Sequence, residues 1–178
     1  MTGFSTYVSG FFSAIRRGLE GGFDLEATTP VVEDKTNRIE LGAGVTVGVG
    51  IINEDIITGD GILEAGRSER LILPHGSIYW YHALSEKFGF NVKIQAGYAL
   101  FRGTYDRTSL QEPIPNVKDY SSAGFGGIGV VLLSYRPFDR LSLHLGGGAM
   151  ALPKNNFDQP SSVIEFGPVA QYGAGLHF

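Results

Sequence analysis

The sequence predicts an all-β chain, an eight-stranded antiparallel up-and-down transmembrane β-barrel with an N-terminal amphipathic helix. Three observations point there. From residue 22 onward, segment after segment places apolar side chains at every second position, the period of a strand between two different environments. The row opposite the apolar one is glycine-rich where a soluble sandwich would show water Lys, Thr and Glu, so it faces a confined space. The connections also alternate between long and short, as in a barrel with tight turns at one end.

Bulk composition narrows the classes. A chain of 178 residues is long enough to enclose an interior as one domain. The formal net charge of −4 gives no basic footprint, so no nucleic acid partner is expected. There are no cysteines, which removes disulfides and thiolate metal sites. The 26 glycines are about twice the average usage and lie inside alternating runs, which asks for close backbone approach or a crowded lumen. No uninterrupted apolar run is long enough for a helical membrane span. The N-terminus lacks a basic region ahead of its apolar stretch, so an exported form is expected to have lost its signal peptide already.

Taken in order, residues 3–19 carry Phe4, Tyr7, Val8, Phe11, Phe12, Ile15 and Leu19 at spacings of three and four, with Arg16 and Arg17 near the end and Gly21-Gly22 after it. This predicts a helix over residues 1–20, lying in a membrane interface or docked on a core, with a presequence as a third reading. The barrel domain is then 21–178. Its first strand alternates Phe23, Leu25 and Ala27 with Asp24, Glu26 and Thr28, and a polar loop follows at 31–37. The cleanest strand sets Ile39, Leu41, Ala43, Val45, Val47, Val49 and Ile51 against Glu40, Gly42, Gly44, Thr46, Gly48 and Gly50. A short turn at 53–55 leads to a weak strand over 57–65, a loop at 66–70 and a strand over 71–84 that ends on Tyr79, Trp80 and Tyr81. After the turn at 85–88 comes a strand over 90–100, and 104–120 reads as a long exposed loop. Strands over 124–135 and 141–152 share a turn at 136–140, and a loop at 153–161 precedes the closing strand, Ser162 to Phe178.

This series resembles the small eight-stranded outer-membrane barrels of Gram-negative bacteria, the OmpX, OmpA-transmembrane and PagP group. The final YGAGLHF looks like the group's C-terminal assembly signal, met by Gly173, Leu176 and Phe178. The resemblance covers 22–178 in architecture and implies several things. The chain is expected to be an integral protein of the bacterial outer membrane, surrounded by the lipid bilayer and lipopolysaccharide. It is expected to be recognised by the barrel-assembly machinery and to work as a monomer. A helix before such a barrel also resembles the PagP lipid A palmitoyltransferases, in which prolines interrupt pairing and open a lateral route for lipid. Pro74 and Pro168 lie inside strands here and would mark such openings.

The inward rows supply Asp24, Glu26, Glu40, Asp60, Lys93, Ser142, His144, Glu165, Gln171 and His177. An isolated charge in a narrow lumen is too costly, so Lys93 should pair with Glu40 or Glu165 in a polar network that includes Gln171. The catalytic reading of the same row takes His144 and Glu165 as an acid–base pair beside Ser142, and ion pairing alone explains the row as well. His75 and His82 fall on opposite faces of one strand and make poor joint ligands, so neither metal nor cofactor is expected. Three function classes remain: a structural or surface-interaction protein using its long loops, a lipid acyltransferase or hydrolase, and a carrier of small apolar molecules through a lateral opening. An eight-stranded barrel fills its interior with its own side chains, which argues against a wide pore.

Overall fold

The computed structural model describes residues 3–14, 19–51, 55–57, 62–109, 116–156 and 159–178. Its elements are β1 (Ser5–Ser13), β2 (Leu19–Glu33), β3 (Asn37–Ile51), β4 (Asp55–Ile57), β5 (Ile62–Ala83), β6 (Phe88–Ser109), β7 (Asn116–Phe138), β8 (Leu141–Asn156) and β9 (Gln159–His177). Every pairing is antiparallel between neighbours in the chain, β3 pairs directly with β5, and β1 pairs with β9. Eight strands therefore close a ring, and β4 is a short outrigger on the far end of β5. A ring has no long open edge, so the wall pairs its backbone N–H groups strand to strand, with local interruptions such as that at Pro74.

Inside and outside follow the strand period. On β5 the residues from Leu71 to Trp80 alternate strictly between buried and exposed, with Leu71, Leu73, His75, Ser77 and Tyr79 inward. The outward set there is Ile72, Pro74, Gly76, Ile78 and Trp80. The exterior is a continuous apolar surface that includes Phe12, Phe23, Leu25, Val47, Ile94, Phe125, Leu145 and Phe166, each more than half or nearly half exposed. A soluble protein does not present such a surface to water. On β6 the outward apolar series runs from Phe90 to Leu100, ten steps along the strand. At ~3.3 Å per residue and a tilt of roughly 40°, this is about 25 Å of height, the thickness of the apolar band of outer-membrane barrels. Aromatic residues gather at one margin of that band: Phe4 stacks on Phe178 at 4.6 Å, Trp80 meets Phe90 at 5.4 Å, and Phe88 meets Tyr135 at 5.0 Å.

The predicted N-terminal helix is not present across residues 5–13, which form wall strand β1. Read at period two, Ser5, Tyr7, Ser9, Phe11 and Ser13 point inward while Val8 and Phe12 point outward. The adjacent apolar pairs Tyr7-Val8 and Phe11-Phe12 satisfy a helical template as well as a strand one. Ring closure decides between them, because without β1 the inner ends of β2 and β9 would keep unpaired edges in lipid. At its other end, residues 19–20 of the predicted helix open wall strand β2, and 1–2 and 15–18 lie outside the described residues.

The strand count stands at eight because a second difference offsets the first. The segments 57–65 and 71–84 are not two strands joined by a loop: 62–83 is one strand, with an irregularity between Gly66 and Ser68. The predicted loop at 104–120 is largely strand too, since β6 continues to Ser109 and β7 begins at Asn116. The connections at 34–36, 84–87 and 139–140 are tight and share one end of the barrel with both termini. In the first of these, Asp34 accepts hydrogen bonds from the backbone N–H groups of Thr36 (2.8 Å) and Asn37 (2.6 Å), which hold its carboxyl down at about 2.

Candidate functional site

Among the described residues, polar chemistry concentrates in the lumen, where the inward side chains stack in layers. Lys93 of β6 sits at the centre, fully buried. Its Nζ reaches Asp24 Oδ2 at 2.5 Å and Glu26 Oε2 at 3.1 Å, both from β2. Asp24 also accepts from Thr46 Oγ1 (3.0 Å) and Gln95 Nε2 (2.9 Å), and lies 2.8 Å from His75 Nε2. Glu26 accepts from the Tyr79 hydroxyl at 2.6 Å, and the lysine ammonium lies 5.1 Å from the centre of that tyrosine ring. Strand alternation places Asp24 and Glu26 on one face two residues apart, and β3, β5 and β6 bring up their donors. A buried ammonium is tolerated only when paired and hydrogen-bonded, and this nest supplies both.

A second nest lies nearer the tight turns. Glu40 pairs with Arg38 Nε at 2.6 Å and accepts from Tyr7 (3.2 Å) and from the Thr28 hydroxyl. Arg38 donates on to Ser5 Oγ at 3.2 Å. Ser5 Oγ is 2.9 Å from His177 Nδ1, and the other ring nitrogen of His177 is 3.0 Å from Ser142 Oγ. The rings of Tyr7 and Tyr79 stack at 4.9 Å and tie the two nests together. On the other side of the central nest the lumen turns apolar, filled by Phe11, Leu71, Leu73, Ala99, Phe101, Ile128, Val130, Leu132, Met150, Leu152 and Val169. The void beside His177, Ser142 and Arg136 is about 10 Å³, room for one water at most. Charged nests under an apolar layer make a plug.

The predicted catalytic set is not assembled. Ser142 and His144 both point inward from β8, but Ser142 bonds to His177, while His144 Nε2 bonds to Ser9 Oγ at 2.9 Å. His144 faces Gly173 on β9, whereas Glu165 lies eight residues further along that strand, opposite Leu152. Eight residues of strand are about 26 Å, far beyond proton-transfer reach. The Ser142–His177–Ser5 chain has hydroxyls on both ring nitrogens, so no carboxylate orients the imidazole as a base.

The polar network is likewise built from other partners than the sequence suggested. Lys93 pairs with Asp24 and Glu26, and Glu40 is taken by Arg38. Gln171 is fully buried between Phe11 and Gly146, and Glu165 is partly exposed on β9. Tyr7 and Ser9 escaped notice because their strand read as a helix. His75 and Tyr79 enter the sequence reading only as a poor metal ligand and a margin aromatic, because both registers of 71–84 carry apolar residues and do not reveal which face is inward. Asp60 lies outside the described residues.

The two prolines sit where the ladder can spare an N–H. At Pro74 the β5–β6 pairing breaks between Ile72–Leu100 and His75–Gly97, and the gap is backed by the fully buried Leu73 and Ala99. Pro168 lies where β1 ends, and its carbonyl accepts from Ala14 N (3.2 Å) and Ser13 Oγ (2.9 Å). At the C-terminus, Leu176 and Phe178 point outward and Gly173 inward, where a Cβ would lie 2.7 Å from His144 Nε2.

No protein-family model and no curated protein matches the sequence. Among solved structures, the chain is similar to a major outer membrane protein from Thermus thermophilus, with a TM-score of 0.62 and 14% identity over 100% of both chains. It is more loosely similar to Ail, the attachment invasion locus protein of Yersinia pestis, with a TM-score of 0.46 and 13% identity over 100% of both chains. Neisserial surface protein A follows with a TM-score of 0.45 and 11% identity over 99% of this chain and 95% of that one. At these identities the likeness is one of fold.

Proposed function

Because this chain is an eight-stranded β-barrel of the outer-membrane type, we propose that it serves a bacterial outer membrane as a surface-interaction protein. On this reading it acts through the strands that project from the membrane, and the lumen holds the wall together. The observation that carries the reading is strand length. A tilted strand crosses a bilayer in about 9–11 residues, whereas β5, β6 and β7 run for 22, 22 and 23. The surplus lies at the end away from the tight turns and both termini, which is the external end in barrels of this type. There β4 joins the far end of β5, and β6 pairs with β7 out to Asn116.

On its other side β7 pairs with β8 only from Gly127, so among the described residues the stretch from Asn116 to Gly126 has no ladder partner toward β8. That stretch carries the exposed Val117, Lys118 and Asp119, which offer apolar surface and charge to a partner. The short-turn end, with Gly173, Leu176 and Phe178 in its last strand, suits delivery by the barrel-assembly machinery, and closure within one chain suits a monomer.

The test compares cells displaying the intact chain with cells displaying the same barrel in which 104–120 is replaced by a tight turn. The intact chain should promote cell aggregation or surface adhesion, and the trimmed barrel should insert normally and lose that effect. Equal adhesion by both, or lipid turnover or steady conductance by the purified chain, would sink the proposal.

A further inference from the structure

Arg70 on β5 and Arg102 on β6 face each other directly across the β5–β6 ladder. Both are exposed, and their neighbours fix their direction. Glu69, Leu71 and Phe101 are buried in the lumen, so the two guanidinium groups point out of the wall. Like charges set directly opposite destabilise a strand pair. Among the described residues no carboxylate lies within ion-pair distance of either arginine. Asp119, the nearest acid by register, sits diagonally on β7 opposite Thr104 and makes no ion pair with Arg102.

Their height gives the pair a purpose. Ile72 faces Leu100, which faces Ala123, and this is the last apolar row of the exterior on these strands. Arg70, Arg102 and Ser121 form the next row, and beyond it Ser68 and Thr104 share a hydrogen bond of 3.1 Å. The arginines therefore stand just past the apolar band of about 25 Å, at headgroup level on the end that carries the projecting strands. Val49, directly opposite Arg70 on β3, brings the apolar surface alongside the arginine row, and Val47 lies opposite Ile72 below it.

We propose that Arg70 and Arg102 together bind the phosphate of an outer-leaflet glycolipid of the lipopolysaccharide class. Guanidinium groups fork onto phosphate oxygens. A phosphomonoester carries about −1.5 to −2 charge near neutral pH, matching two guanidiniums, whereas a phosphodiester headgroup carries one. Ile72, Leu100 and Val47 then take the acyl chains below the phosphate.

The test folds the full chain into phosphatidylcholine vesicles that also contain phosphorylated lipid A, dephosphorylated lipid A or phosphatidylglycerol. Lipid retained after detergent extraction is counted by native mass spectrometry. The chain should keep phosphorylated lipid A about tenfold better than either alternative, from two charge-assisted contacts. Arg70→Gln with Arg102→Gln should reduce retention to the dephosphorylated level, and the paired Arg→Lys variant should keep part of it. Heat-dependent gel mobility verifies that each variant has inserted.

Unchanged retention by an inserted double Gln variant overturns the site, as does equal retention of dephosphorylated lipid A. Displacement by millimolar inorganic phosphate would assign the pair to free anions instead and equally overturns it. The inference rests on the outer-membrane placement proposed above. A chain that never inserts sinks both, whereas an inserted chain without lipid preference sinks the site alone.

Discussion

Replacing Lys93 by methionine keeps the stem of the side chain and removes the ammonium that Asp24 and Glu26 share at 2.5 and 3.1 Å. The hydrogen bonds from Thr46, Gln95 and Tyr79 remain, so both carboxylates stay partly satisfied while losing their counter-charge. Breaking a buried ion pair from one side costs about 3–5 kcal/mol, because a charge is left without compensation. With nearly all of each side chain out of solvent, Lys93→Met should fall in that range. Adding Asp24→Asn and Glu26→Gln to Lys93→Met removes the stranded charges and should recover most of the loss, to within about 1–2 kcal/mol of the parent, since neutral replacement of a buried cluster is often well tolerated. The assay is reversible denaturant unfolding from lipid vesicles, comparing midpoints at constant slope. A Lys93→Met midpoint within about 1 kcal/mol of the parent would refute the pairing of this lysine with two carboxylates, given the cost expected of a stranded buried charge. A triple variant less stable than the single one would refute the charge argument even if the pairing were right.

Phe101→Ala, in the apolar layer, should lose about 3–5 kcal/mol in the same unfolding assay and still pass no current in a planar bilayer, because the Lys93 nest remains closed. Gly173→Val should lower the folded fraction on heat-dependent gel mobility, since its first carbon would lie 2.7 Å from both His144 Nε2 and Ser9 Cα. Gly173→Ala should do so less. Asp34→Ala tests the turn at 34–36. The carboxyl is held at about 2 against an ordinary 3.8, so its contribution is present above the ordinary value and disappears as pH falls through the folded one. The stability difference between parent and variant should be constant above pH ~5, shrink from pH ~4 and be mostly lost by pH ~2. A difference undiminished at pH ~2 would contradict the hydrogen-bonded turn.

What could be read from the sequence was set by where a strand lies. Within the membrane, lipid on one side and lumen on the other force strict alternation, so β3 is legible from Ile39 to Ile51 and its glycine row from Gly42 to Gly50. The inward direction of Asp24, Glu26, Glu40, Lys93, Ser142, His144 and Gln171 follows from the same rule. Where β6 and β7 leave the bilayer, the outer face meets water in place of lipid and its row turns polar, so TYDRTS and NVKDYS look like loop although they are paired strands with Tyr105 and Tyr120 buried inward.

β1 failed for another reason. Its inward face mixes Ser with Tyr7 and Phe11, its outward face holds Val8 and Phe12, and this sum imitates a helical stripe. Partner choice in the lumen was not legible at all. Which acid meets Lys93 depends on strand stagger around the ring, and stagger is fixed by cross-strand register that no single segment carries.

The most direct measurement of the closed ring uses the absence of cysteine from the chain. Val8 faces Ala174 across the β1–β9 seam, and both point outward. Paired antiparallel positions lie within disulfide range, and positions two residues out of register on the same face are disfavoured by distance. Val8→Cys with Ala174→Cys, oxidised after insertion into vesicles, should form an intramolecular disulfide in most molecules, and Val8→Cys with Leu176→Cys should not. A helical N-terminus lying off the wall would give no preference between the two pairs, and that result would contradict the closed eight-stranded barrel.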